Sequence, residues 1–109
     1  LRYGEADAGL ALVPASLADA RALVGRYLAP LIEHDCSSDA ALLVTLIKFL
    51  HNDGNWKSSA FDLGIHRQTL VYRLKLITKL TGVSPTTTAG TALLWLALEA
   101  GRAARLLPE

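Results

Sequence analysis

Gln68, Tyr72, Lys75 and Lys79 recur three or four residues apart, the spacing that stacks side chains on one face of a helix. Their chemistry suits DNA. Glutamine pairs with adenine in the major groove, lysine neutralises phosphate, and a tyrosine hydroxyl can hydrogen-bond it. Arg67 stands one residue ahead, in the first turn, the end that a recognition helix turns toward base edges, and arginine matches the guanine edge. Arg67 and Gln68 are therefore the expected base contacts. Tyr72, Lys75 and Lys79 are expected on backbone phosphate, which sets register and affinity without reading sequence. Lys57 is expected to join them. Thr69 bonds phosphate or caps the first turn. His66 caps the helix, packs against it, or meets phosphate. Arg73 falls nearer the packed side and reads equally as a DNA ligand or as the ion-pair partner of an acid on an earlier helix.

The charge distribution agrees with this surface. Residues 57–79 hold five of the chain's 11 basic residues and one of its 10 acids, a local excess of +4 in a chain whose formal net charge is +1. The remainder is acidic. A basic stretch in an acidic chain is the footprint of a nucleic-acid surface, although a solvated helix face gives the same count.

Other chemistries find little support. His34, Asp35 and Cys36 are adjacent but lack the second cluster that a zinc site needs, so no metal and no cofactor is expected. Ser58 and Ser59 have no histidine and acid that periodicity would bring to them, and a hydrolase reading fails on that ground. The chain is not expected to be an enzyme. A single cysteine, Cys36, suits the cytoplasm, and no apolar run approaches the ~20 residues of a membrane span.

The elements that must position the basic stripe are helical throughout. With 51% hydrophobic and 19% charged residues in 109, the chain can bury a single core and is not disordered. Ser16 caps a first amphipathic helix, with Leu17, Ala20, Leu23, Val24, Tyr27 and Leu28 at helical spacing, which Pro30 ends or kinks. Residues 34–38 read as a polar turn. Ser38 is expected to cap a central helix over 39 to about 52, with Asp39 in its first turn and apolar residues around most of its circumference. Asn55 caps a short helix over 56 to about 62, and Gly64 ends it in the left-handed conformation. A helix over about 67–80 follows, packed through Leu70, Leu74 and Ile77, and Gly82 stops it. Ser84 as cap, with Pro85 at the first helical position, is expected to open the last segment. Its apolar run from 93 to 107, with Leu93, Leu94, Trp95, Leu98, Leu106 and Leu107, reads as core or as a dimer contact. Trp56 and Trp95 read as core or interface residues. The expected fold is all-α, a small bundle of about five or six helices containing a helix-turn-helix.

In that motif Ala60 is small enough to let two helix axes approach, Gly64 makes the turn, and Leu63, Ile65 and Leu70 supply the apolar contacts. The run from Asn55 through Ala60, Leu63-Gly64-Ile65, His66-Arg67-Gln68-Thr69-Leu70 and Tyr72-Arg73-Leu74 resembles the C-terminal helix-turn-helix of PucR-type and sugar-diacid (CdaR-type) bacterial transcriptional regulators. The likeness extends through Tyr27-Leu28-Ala29-Pro30-Leu31, His34-Asp35 and Thr45-Leu46 to the leucine-rich last helix, roughly residues 17–107. A broader similarity to the Fis-type helix-turn-helix covers the same motif. Gln68 stands where asparagine is common, and the threonine-rich 86–90 segment replaces a more charged one.

The resemblance implies a DNA-binding domain that follows an effector-sensing region. Residues 1–14 would then be the tail of that region or a linker, 15–109 the DNA-binding domain, and any effector would bind upstream. The opening at Leu1 also reads as a piece of a longer chain. The expected function is sequence-specific binding of double-stranded DNA by a homodimer. A protein-interaction or dimerisation module, using the helix-turn-helix only as scaffold, is the rival reading.

Overall fold

The computed structural model describes residues 16–38 and 41–107. Six helices and no strand occur among them: α1 Leu17–Tyr27, α2 Ala29–Ser37, α3 Leu42–His51, α4 Trp56–Leu63, α5 Arg67–Thr81 and α6 Thr88–Ala103. None of the helices is long and apolar enough to cross a membrane. The expected linker of residues 1–14 lies outside the described residues.

Helix α1 opens where Ser16 Oγ accepts the Asp19 amide at 3.1 Å. The chain then breaks at Leu28, and Pro30 falls in the first turn of α2. A missing amide costs nothing there, because first-turn amides have no helical partner. Pro30 therefore begins a helix rather than ending or kinking one.

The 34–38 segment is helix as far as Ser37, not a turn. The reason lies across space. Asp35 projects from the last turns of α2, and its carboxylate accepts the amides of Leu42 at 2.8 Å and Leu43 at 3.0 Å. These are first-turn donors of α3, which Ser38 was expected to serve; the position before α3 is Ala41, whose side chain cannot accept them. Asp39 lies outside the described residues. Replacing Asp35 by alanine strands two donors and removes a charge favourable to the α3 dipole, so it is expected to cost about 1–2 kcal/mol. A lower urea midpoint with an unchanged slope is the expected signature.

Helix α3 is central, touching α2, α4, α5 and α6. Leu42, Leu46 and Phe49 are buried on it and meet Leu28, Leu31, Leu70, Ile77 and Leu94 in one core. Helix α6 packs chiefly along α1. Gly101 permits the approach, since a Cβ there would stand 3.0 Å from Val24 Cγ2. Leu94 and Leu98 are buried, while Leu93, Trp95, Leu106 and Leu107 pack half-buried on the core's edge. Much of the last segment's apolar surface is thus used inside the chain.

Helix α6 starts later than the Ser84-Pro85 signal predicts. Thr87 is the cap, its Oγ1 accepting the Gly90 amide at 3.0 Å. Ser84 and Pro85 belong to the preceding turn, where the Ser84 carbonyl accepts the Thr87 hydroxyl at 3.1 Å and the Pro85 carbonyl accepts the Thr91 hydroxyl at 2.7 Å.

Candidate nucleic-acid interface

The helix-turn-helix is built from α4 and α5. Asn55 Oδ1 accepts the Ser58 amide at 2.8 Å and opens α4. Gly64, at φ 67 and ψ 34, closes it in the left-handed region that other residues enter only with strain. The Ile65 amide reaches back to the Ala60 carbonyl at 3.1 Å, tightening the turn. Ala60 and Ser59 are buried beside it. Ser59 Oγ has no hydrogen-bond partner among the described residues, so the packed site accommodates a small residue rather than using its hydroxyl.

Helix α5 buries Leu70, Leu74 and Ile77 at 0%, 3% and 0% exposure. That fixes its rotation. Gln68, Tyr72, Lys75 and Lys79 emerge on the exposed side, with Tyr72 at 62%. Arg67, His66 and Lys57 are also exposed, and Thr69 is half-buried. All eight residues singled out above are therefore solvent-accessible to some degree, and seven are fully on the surface. His66 is the cap residue of α5 by backbone position only; its side chain makes no capping bond and is not packed.

Asp39, the acid at the start of the expected central helix, lies outside the described residues; among those described, Arg73 meets a hydroxyl. Its Nη1 donates to Thr45 Oγ1 at 3.1 Å, and that hydroxyl donates to the Ala41 carbonyl at 2.6 Å. The guanidinium thus ties α5 to the buried Thr45 of α3 and holds the exposed stripe in register.

Arg67 rests on an indole. Its guanidinium carbon lies 5.7 Å from the centroid of Trp56, whose ring stands edge-on to Phe49 at 5.5 Å and 73°. The contact was not legible beforehand, since residues 56 and 67 share no helical register and meet only because Gly64 folds the two helices together. Phe61, 84% exposed on α4, is a second residue that sequence reasoning passed over. Its exposure follows from the buried pair Ser59 and Ala60, since at about 100° per residue Phe61 lies roughly 150° from the middle of their face.

Electrostatically, α5 is unusual. It carries four basic and no acidic residues, and Arg67 sits at its N-terminus, where the helix dipole is itself positive and a cation is disfavoured by about 0.3–1 kcal/mol. The first-turn amides of α5 point outward there, since the first helical bond is the Leu70 amide to the His66 carbonyl at 3.1 Å. An anion at this end would satisfy amides, dipole and guanidinium together.

Residues 42–100, more than half the chain, match the family model of the PucR C-terminal helix-turn-helix domain. The chain belongs to this family. As a PucR-type helix-turn-helix domain it falls in the class of DNA-binding domains of transcriptional regulators, which is not an enzyme class. It is 40% identical over 91 residues to the transcriptional activator PmfR of Paenarthrobacter nicotinovorans, covering 84% of this chain and 19% of that protein. It is also 34% identical over 80 residues to an uncharacterised protein in the pkwA 5′ region of Thermomonospora curvata, covering 73% of this chain and 44% of that one. The chain therefore spans less than half the length of either relative. No solved structure matches it.

Proposed function

We propose that this PucR-type domain binds specific DNA sequences by laying α5 in the major groove. Arg67 and Gln68 reach base edges, and Tyr72, Lys75, Lys79, Lys57, His66 and Thr69 contact the phosphate backbone. One observation supports this above the others: α5 turns every apolar anchor inward and leaves Gln68, Tyr72, Lys75 and Lys79 exposed on a helix without an acid. A mere scaffold for protein interaction has no need of that stripe, nor of a cation on the positive end of a dipole.

The domain acts as a homodimer, because two recognition helices about 34–36 Å apart meet successive turns of one groove face and double the sequence read. Within a longer regulator resembling the named activator, it would carry the output of an upstream sensing region, in the cytoplasm where DNA is accessible.

Selection of bound duplexes from a random pool at two salt concentrations tests the reading. Enrichment of a common motif that persists at the higher salt is expected, because base contacts survive while phosphate contacts weaken steeply. An unenriched pool at both concentrations would refute sequence-specific recognition.

A further inference from the structure

Both tryptophans of the chain, Trp56 and Trp95, line one cleft of about 580 Å³ between the end of α3, the start of α4 and the turn before α6. Its size is that of a small-molecule site. Both indoles are half-buried, so part of each ring is left for the cleft. Each is held by a second ring: Phe49 stands edge-on to Trp56 at 5.5 Å, and His51 edge-on to Trp95 at 5.7 Å.

Asp53 also lines this cleft. It sits in a turn fixed by three backbone bonds: Asp53 amide to Leu50 carbonyl at 3.0 Å, Gly54 amide to Phe49 carbonyl at 2.9 Å, and Asn55 amide to Asn52 carbonyl at 2.9 Å. Its φ of 54 is left-handed, a conformation that aspartate and asparagine adopt more readily than other non-glycine residues. Among the described residues its carboxylate has neither a hydrogen-bond nor an ion-pair partner. No lysine or arginine lines the walls. The cleft is therefore the electrostatic opposite of the α5 stripe. His51 also lines the walls, and the Asp53 carboxylate, together with the aromatic surface that Arg67 leaves open, attracts positive charge.

We propose that this cleft is a binding site for a small organic cation with a flat or methylated apolar body, held against Trp56 and Trp95 and paired with Asp53. The proposal is independent of how α5 meets DNA. Trp56 is nevertheless shared, forming a wall of the cleft and the platform beneath Arg67.

The chain supplies its own reporter, since all of its tryptophan fluorescence comes from the cleft walls. The 109-residue chain is titrated with benzyltrimethylammonium and, separately, with benzyl alcohol, a neutral probe of similar body. A saturable change with the cation, at concentrations where the alcohol produces none, is expected. Asp53→Asn keeps a residue that tolerates the left-handed turn and is expected to weaken the cation about three- to fivefold, as loss of a partly exposed ion pair does. A linear, unsaturated response, equal responses to the two probes, or an unchanged midpoint in Asp53→Asn would overturn the assignment. Because no DNA is present, failure here leaves the α5 reading untouched, and failure there leaves this one.

Discussion

Gly90→Ala is expected to lower the thermal midpoint of the domain sharply, by many degrees. A Cβ at this position would fall inside the contact distance of the Ser84 carbonyl oxygen, with the rest of that peptide close behind. Backbone cannot rotate away as a flexible side chain does. The Ser84 carbonyl is also held by the Thr87 hydroxyl, and the Gly90 amide is held by Thr87 Oγ1. Relief therefore requires the α6 cap to open. Overpacking against a side chain typically costs 1–3 kcal/mol, and a clash with fixed backbone should reach about 3 kcal/mol or more. The same substitution at Gly25 supplies the contrast. Gly25 lies inside α1 with nothing within 4 Å of its would-be Cβ, so alanine there should stabilise by roughly 0.5–1 kcal/mol through helix propensity and a less flexible unfolded chain. Opposite shifts of the two midpoints in calorimetry are the expected result.

The second large effect concerns affinity. Arg67→Ala combined with Lys75→Ala is expected to weaken binding to a selected duplex by about 2–4 kcal/mol, or roughly 30- to 1,000-fold. One arginine paired with a base edge accounts for about 1–3 kcal/mol of this. One phosphate contact supplies much of the rest and should lower the salt slope by about one. Both side chains are exposed, so the unfolding midpoint should stay within about 0.5 kcal/mol of the parent. Arg67 also leaves the Trp56 ring in this variant, and a small fluorescence change should accompany it. Titration of labelled duplex at three salt concentrations, beside thermal unfolding, separates the two effects.

What could be read from the residues was whatever is local in sequence. Ser16 and Asn55 cap the helices they precede, because each accepts an amide three residues on. Gly64 and Gly82 take left-handed conformations where the pattern stops. The inward row of Leu70, Leu74 and Ile77 followed from helical period alone, and with it the outward row opposite. Contacts across space were hidden. Asp35 looked like part of a polar turn because its partners, Leu42 and Leu43, lie seven and eight residues on. The Arg73 bond to the Thr45 hydroxyl, 28 residues away in sequence, likewise leaves no local signal. At the start of α6 the local rules competed. Ser84-Pro85 satisfies the cap-then-proline pattern, but three threonines follow, and the close seat of Gly90 under the Ser84 carbonyl selects Thr87.

A cleavage probe carried by α5 tests the account most directly. With Cys36 replaced by serine, a single cysteine at position 68 or, as control, at the exposed position 21 of α1 is coupled to a tethered iron chelate that cuts nearby DNA. If α5 enters the groove, the probe at 68 cuts a few adjacent base pairs within the selected site and the probe at 21 does not. Bound duplex that is left uncut from position 68, or cut equally from both positions, would contradict the placement of this helix in DNA.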